Sequence, residues 1–247
     1  MRNYNLGFIT NENIFNHVRN TVQKYRFDIN LETFNKNLID PIKITFDAKI
    51  YNRSIQDTIE SEIIRQIDKS NTNEIWYFHQ NLFRYIDPSW TIPEKWFDVI
   101  NEEKHFFVEM KNKHNTMNSS SSQKTYMRMM SKVSQDSEAI CALVEVIAKR
   151  SQNEVWHISL DGVSVSDDRI RRISIDKFYE IVTGQSDAFK KLCEKLPLIL
   201  EDVIALEVDR QRTNTVFQEL ERISPNLLKS IYLLSFKEYA GFENFDI

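Results

Sequence analysis

The sequence predicts an α/β fold in which a mixed sheet is flanked by helices and followed by a helical C-terminal region. Three patterns support this prediction. Apolar residues recur at helical spacing over residues 40–85, two short β-type runs surround a polar turn within residues 96–110, and residues 139–148 are almost continuously apolar. Because the strand patterns stand between helical ones, we expect one sheet covered by helices.

Residues 1–90 are predicted to form a helical N-terminal part. Asp40 and Pro41 are a helix-start signal, with Asp at the N-cap and Pro at the first helical position. The sequence that follows lacks glycine and proline, so it predicts one or two long helices whose weak point is residues 52–54. A further helix is expected over residues 74–85.

Residues 91–175 are predicted to contain the sheet. The runs at residues 96–100 and 105–110 are joined by a polar turn, which predicts a β-hairpin. The apolar run at residues 139–148 predicts a buried strand that is parallel to its neighbours. Residues 155–160 predict one more strand.

The segments around these strands are predicted to be loop and helix. Residues 113–122 include four consecutive serines and predict a polar loop, and residues 123–133 predict a helix. Residues 176–247 are predicted to be helical, with interruptions at Gly184 and Pro197. With 247 residues and no internal repeat, the chain is predicted to be a single domain.

The composition narrows the classes of protein. The four glycines form neither G-x-x-x-x-G-K-S/T nor G-x-G-x-x-G, so we expect no nucleotide cofactor. Two cysteines, no apolar run near about 18 residues and no signal-like N-terminus predict a cytoplasmic protein without a membrane partner. The net charge of −4 argues against nonspecific coating of nucleic acid, but it leaves room for local basic patches.

An acid-x-Lys tripeptide begins at each of three acids, Asp47, Glu102 and Glu109. Asp47 lies in a helical pattern and Glu102 in the hairpin turn, where a solvated charge is a sufficient explanation. Glu109 and Lys111 instead end an apolar strand and share one face of it, because strand side chains alternate. Burying them costs free energy unless they pair or bind a metal. Asp98, on the partner strand, is expected to lie across from Glu109.

These residues have the chemistry of a magnesium site. The carboxylates of Asp98 and Glu109 and the carbonyl of Met110 are oxygen ligands of the kind that Mg²⁺ prefers. Such an ion neutralises a phosphate and polarises a water molecule, which Lys111 would orient or deprotonate. The alternative is a plain salt bridge at the edge of the sheet.

The pattern Asp98-x10-Glu109-x-Lys111 resembles the PD-(D/E)xK nuclease signature, with Phe97 in place of the usual proline. The wider sequence is similar to a family of type II restriction endonucleases, the group that cuts GGNCC-type sites. The segments that carry this likeness run from about residue 40 to residue 205: Ile59-Glu60-x-Glu62-x-x-Arg65-Gln66-x-Asp68-Lys69-Ser70, Phe78-His79-Gln80, Trp96-Phe97-Asp98-Val99, Glu109-Met110-Lys111-Asn112-Lys113-x-Asn115-Thr116 and Phe178-Tyr179-Glu180-x-Val182-Thr183-Gly184.

The resemblance implies a restriction-endonuclease-like fold that forms a single nuclease domain over residues 1–247. It implies Mg²⁺-dependent hydrolysis of both strands of a short double-stranded DNA site, with GGNCC as the candidate, by a homodimer. Asp98, Glu109 and Lys111 are then the catalytic centre. Two alternatives stay open: a structure-specific or repair nuclease on the same fold, and a non-catalytic DNA-binding module.

Further residues are candidates for the site. Glu62 is expected to assist catalysis from the long helix, although a surface pair with Arg65 also explains it. Polar residues near the strand ends are expected to contact DNA, at phosphates, at base edges or at both. The alternative for the residues after Lys111 is a flexible polar loop, and the alternative for the arginines is pairing with Asp167, Asp168 or Asp176. The predicted DNA contacts are Asn112, Lys113, Asn115, Ser119, Ser120, Lys124, Arg128, Arg169, Arg171 and Arg172.

Overall fold

A computed structural model describes residues 2–114, 116–160, 162–206, 213–242 and 244–247. They divide into two compact units. The sheet unit comprises Met1–Gln23 and Ile75–Leu206, and the helical unit comprises Lys24–Glu74 and Glu207–Ile247. A single domain over residues 1–247 therefore stays a prediction.

The N-terminal part of the chain is helical, as predicted. The carboxylate of Asp40 accepts hydrogen bonds from the N–H groups of Ile42 and Lys43 and caps the helix that begins at Pro41. That helix ends at Ile50 and the next one begins at Ile55, so the helical structure is interrupted at the predicted weak point. The helix predicted separately over residues 74–85 is the second half of one 32-residue helix, because nothing in between interrupts the helical pattern. The helices are α1 (Asn11–Lys24), α2 (Leu31–Asn35), α3 (Pro41–Ile50) and α4 (Ile55–Ile86).

The sheet is mixed, which confirms the predicted fold class. β2 and β3 form the predicted antiparallel hairpin, and β4 is the predicted buried strand parallel to β3. In the described residues the strand order is β1-β2-β3-β4-β8-β5. These strands are β1 (Trp90–Thr91), β2 (Val99–Asn101), β3 (Phe106–Lys113), β4 (Ile140–Ile147), β5 (Asn153–Val155) and β8 (Ile170–Ser174).

The strands after β4 differ from the prediction. The segment predicted as one strand over residues 155–160 contains the end of β5 and then β6 (Ile158–Leu160), which pairs with β7 (Val163–Val165). β8 was not predicted, since Arg171 and Arg172 obscure its apolar pattern. It is nevertheless an inner strand, hydrogen-bonded to both β4 and β5. The pair Asp161-Gly162 predicts a turn after β6, and Asp161 lies outside the described residues.

The serine run belongs to a helix, so the predicted loop over residues 113–122 is wrong over residues 119–122, and it is also wrong at Lys113, which ends β3. α5 (Ser119–Gln135) begins four residues before the predicted helix. The side chain of Asn118 accepts a 2.8 Å hydrogen bond from the N–H of Ser121 and acts as the N-cap. Short polar residues stabilise this position because they satisfy otherwise unpaired N–H groups.

The C-terminal region is helical, as predicted. Gly184 adopts a left-handed conformation and ends the first of these helices. The predicted interruption at Pro197 is wrong, because this residue lies inside a helix whose apolar face is buried at Leu192, Ile199 and Val203. None of the helices in the described ranges has the length and apolar character of a membrane span. The helices are α6 (Ile175–Thr183), α7 (Ala188–Ile204), α8 (Val216–Ile223) and α9 (Leu227–Phe236).

The two faces of the sheet carry separate apolar cores. Val108 and Met110 of β3 point to the face packed with residues of α1, α6 and α7. Phe107 of β3 points to the other face, which packs against Tyr126 and Met129 of α5. Because side chains alternate along a strand, Glu109 and Lys111 project on the α5 side. The helical unit has its own core, formed by Ile59 and Ile63 with residues of α2, α8 and α9.

Candidate active site

The acid and the base of β3 meet at the end of the hairpin. Nζ of Lys111 lies 2.7 Å from Oε1 of Glu109. Glu109 is 8% exposed and sits directly beyond the apolar residues that hold β3 in the sheet. A buried carboxylate needs such a partner, since desolvation of an unpaired charge is costly.

Asp98 is tied to β3 at two points. Its backbone N–H donates a 2.8 Å hydrogen bond to the carbonyl of Val108, and its Oδ2 accepts a 2.7 Å bond from the N–H of Met110. The N–H and C=O of one strand residue point to the same edge of the strand. The carbonyl of Met110 is therefore directed to the edge where Asp98 lies. This orientation is the one that a metal ligand next to the carboxylate of Asp98 requires.

Electrostatic repulsion marks the same place. Burial and the negative charge of Glu109 raise the pKa of Asp98 to about 6. Hydrogen bonds from the N–H of Met110 and the side chain of Gln80, with the charge of Lys111, act in the opposite direction. A buried carboxyl group whose pKa is raised by a neighbouring carboxylate is a typical feature of sites that receive a cation.

Two residues near the acids carry no signal of their role in the sequence. Gln80, on α4 in the sheet unit, is buried and hydrogen-bonds Asp98. Arg128 was predicted to contact DNA, and it also contacts one of the acids directly: its Nη1 lies 3.1 Å from Oε2 of Glu109 and also donates to the carbonyl of Trp96. Helical spacing could not identify either contact, because it does not say which face meets the sheet.

A second polar cluster lies beside Lys111. Glu145 of β4 is the register partner of Lys111 and is 1% exposed. Its carboxylate forms an ion pair with Arg172 of β8, and Nδ1 of His114 lies 3.2 Å from Oε1. Nδ1 of His114 is also 2.7 Å from Nη2 of Arg172, so it can serve only one of the two at a time. The sequence signal for this cluster was the single acid in the apolar run of β4.

Arg169 and Arg171, which were also predicted to contact DNA, do not belong to this polar cluster. Arg169 is at the opposite end of β8, next to the start of β4. Its guanidinium is bound by Asp167 and by the carbonyls of Val133 and Ser137. Arg171 projects on the opposite face from Arg172 and binds Asn153. DNA contacts by Arg169 and Arg171 stay predictions, and these bonds add no support to them.

The polar residues after Lys111 are distributed over two faces. Lys113 is exposed and lines a small cleft of about 70 Å³ together with Lys111 and Arg172, whereas Asn112 alternates to the other face. Ser119, Ser120 and Lys124 are exposed on α5. Asn115 lies outside the described residues.

Glu62 belongs to the helical unit. Its carboxylate accepts bonds of 2.7 Å from Nε of Arg65 and 3.1 Å from Nε2 of Gln66. Although burial opposes the effect, these bonds hold the pKa of Glu62 below its usual value. The pairing with Arg65, the alternative weighed from sequence, is thus present, and an assisting role stays a prediction.

The centre fits Mg²⁺ and does not form a closed protein cage. Within the described ranges, no group of three or more His, Cys, Asp or Glu residues is placed to hold a metal ion. Mg²⁺ commonly takes one or two carboxylates and keeps several waters or substrate oxygens. Asp98 and Glu109 supply that number of carboxylates, and a cation between them relieves their repulsion.

A mixed sheet flanked by helices, with Asp98, Glu109 and Lys111 brought together where its hairpin meets α5, is consistent with the restriction-endonuclease-like fold. Residues 6–205 match the family model of the Eco47II restriction endonuclease, and the chain belongs to that family. The chain is similar to the Staphylococcus aureus type II restriction enzyme Sau96I, at 34% identity over 216 residues and 83% of each chain. It is also similar to the Escherichia coli type II restriction enzyme Eco47II, at 29% identity over 225 residues, 83% of this chain and 91% of the relative.

No solved structure is significantly similar to the chain. Membership of the family confirms the resemblance drawn from the sequence motifs: the chain is a type II restriction endonuclease, a site-specific deoxyribonuclease.

Proposed function

We propose that this endonuclease hydrolyses one phosphodiester bond in each strand of a short double-stranded DNA site with the help of Mg²⁺. The observation that carries the proposal is the convergence of Asp98, Glu109 and Lys111 at the end of the hairpin, with two hydrogen bonds between Asp98 and β3, one donated and one accepted by Asp98. GGNCC is the candidate site. A near-palindromic target favours a twofold homodimer with one centre per strand.

Each residue has a separate task in this proposal. Asp98, Glu109 and the carbonyl of Met110 hold the ion, which supplies charge neutralisation at the phosphate and a more acidic water. Lys111, whose Nζ is fixed 2.7 Å from Oε1 of Glu109, would orient that water as an ammonium or accept its proton as a neutral amine. Arg128 fixes the other oxygen of Glu109 and, as a cation, favours the negative charge that develops on the phosphate.

The DNA contacts proposed around this centre follow from position. Lys113 and Lys124 are exposed cations suited to phosphates, together with Ser119 and Ser120. Arg172, with Asn112 and Asn115, is proposed for base edges. Glu62 is proposed to assist from the long helix, and Glu62→Ala should then lower cleavage more than Glu60→Ala does.

Cleavage of plasmid DNA in Mg²⁺ and in EDTA tests the proposed function. We expect discrete fragments whose ends map to one short sequence, and no cleavage in EDTA. Asp98→Asn and Glu109→Gln should lose activity by several orders of magnitude. Glu102→Gln is the matched control, since Glu102 begins an acid-x-Lys in the exposed hairpin turn.

The rival functions predict other outcomes. A smear of fragments indicates a nonspecific nuclease, and cutting of branched DNA alone indicates a structure-specific or repair enzyme. Tight binding without cleavage at any metal concentration indicates a DNA-binding module and overturns the proposal.

A further inference from the structure

An open cleft of about 300 Å³ lies next to the catalytic centre in the sheet unit. Its walls combine aromatic rings with cations, and none of the described residues that line it is acidic. The residues used below are Lys95, Trp96, Phe97, Phe107, Arg128 and Lys132.

Trp96 is held at the mouth of this cleft in an unusual conformation. The φ of Trp96 is +82°, and the residue is 69% exposed. A positive φ is strained in a bulky residue and is retained mainly where it serves a function. Arg128 donates a hydrogen bond to the carbonyl of Trp96 and so stabilises this backbone conformation. Because the indole is exposed, it makes no core contacts that could offset the backbone strain.

The chemistry of the cleft selects a flat, anionic occupant. The rings of Phe97 and Phe107 are 5.4 Å apart, and Nζ of Lys132 lies 4.1 Å from the centre of Phe107. Aromatic walls stack nucleobases, and the cations of Lys95 and Arg128 suit the attached phosphate. The volume is at the lower end of the range for small-molecule sites, which fits one base rather than a duplex.

The position of the cleft relates it to the reaction. Phe97 precedes Asp98 in the chain, and Arg128 lines the cleft while it lies 3.1 Å from Oε2 of Glu109. A nucleotide next to the phosphate at the metal site proposed for Asp98 and Glu109 is therefore within reach. A base inside a duplex is stacked and paired, so it must leave the stack to enter.

We propose that this cleft binds one unstacked nucleotide of the DNA strand beside the cleaved phosphate, with its base against Trp96. The inference rests on the proposed function. It makes Trp96 a residue that distorts the substrate and so contributes to positioning of the phosphate.

Fluorescent base analogues test the proposal with the full-length protein bound to its cleavable duplex in Ca²⁺. 2-Aminopurine, pyrrolo-cytosine and 6-methylisoxanthopterin replace adenine, cytosine and guanine one position at a time. Their emission rises on unstacking and falls again where an aromatic ring stacks on them, so lifetime as well as intensity is recorded. We expect one position to lose its stacked-duplex lifetime when the wild-type protein binds, and this change to disappear with Trp96→Ala.

Two further variants keep the outcome interpretable. Trp96→Gly removes the ring but tolerates the positive φ, so it should fold at least as stably as the wild type and should also lose the signal. Tyr77→Ala removes another exposed aromatic ring of the sheet unit and should keep it. Cleavage by Trp96→Gly should fall at least tenfold in single turnover.

The contrary outcomes are distinct. Normal cleavage with no responding analogue, or the same response from Trp96→Gly, overturns the cleft proposal alone. If Trp96→Gly instead becomes monomeric in sedimentation while no analogue responds, the ring belongs to an interface between two copies, and the proposal is wrong. Absence of cleavage at any site overturns the proposed function and this inference with it.

Discussion

Oδ2 of Asp98 accepts a 2.7 Å hydrogen bond from the backbone N–H of Met110, which fixes an acid from one side of the hairpin to the strand that carries Glu109 and Lys111. An asparagine at position 98 still offers a carbonyl oxygen to that N–H. Asp98→Asn therefore removes the negative charge at position 98 and keeps the hydrogen bond to the N–H of Met110.

In the absence of divalent metal, Asp98→Asn should stabilise the fold above about pH 6. Burial and the charge of Glu109 raise the pKa of Asp98 to about 6, so the folded state holds a proton that the unfolded state has lost. This rise in the pKa of Asp98 corresponds to at most about 3 kcal/mol in the free energy of unfolding. The gain should be full above the folded pKa and absent below about pH 4, where both states are protonated.

Urea unfolding in EDTA at a series of pH values measures this difference between wild type and variant. A gain that is the same at the acidic and the neutral end of the series contradicts the electrostatic cause. Cleavage by the variant is expected to be lost at every pH.

Arg128 and Lys124 occupy successive turns of α5 and should differ in their effects. Arg128→Ala removes a cation 3.1 Å from Glu109, so we expect kcat to fall by about 10²–10³ with a small change in DNA affinity. Lys124→Ala should weaken binding to all sequences and lower the slope of log affinity against log salt by about 1. Single-turnover cleavage and binding in Ca²⁺ separate the two. Equal losses of affinity in both variants would place Arg128 among plain phosphate contacts.

The catalytic hairpin could be predicted from the sequence because two local signals agree there: strand alternation and an acid-x-Lys at the end of an apolar run. β8 could not, since Arg171 and Arg172 resemble a surface segment and their burial depends on β4 and β5, which are distant partners. The contacts of Gln80 and Arg128 were hidden for a similar reason. Helical periodicity shows that a face is polar, but which strand end it meets is decided by the packing of the whole sheet unit.

Arg169 should be a stability residue. Its guanidinium joins Asp167 to the carbonyls of Val133 and Ser137, and thus links the last turns of α5 to the start of β8. Arg169→Ala should lower the thermal midpoint, because it removes all of these contacts at once. Arg171→Ala serves as the comparison and should lower it less, because Arg171 binds only Asn153 among the contacts described. An unchanged thermal midpoint in Arg169→Ala would contradict this assignment.

Arg172 and Glu145 should be energetically coupled, and the coupling should be asymmetric. The side chain of Glu145 is 2% exposed, whereas that of Arg172 is 23% exposed. Arg172→Gln therefore leaves a charge that water cannot reach, at a cost of about 3–5 kcal/mol, whereas Glu145→Gln leaves a cation that water can partly solvate. The double variant should be more stable than Arg172→Gln alone, and a double-mutant cycle in urea gives the coupling energy.

The double variant is also the one in which to test whether Arg172 reads a base, because its fold is not destabilised by an unpaired, buried Glu145. If Arg172→Gln and Glu145→Gln cost the same, burial of Glu145 does not control this pair, and simple removal of Arg172 would suffice to test DNA recognition.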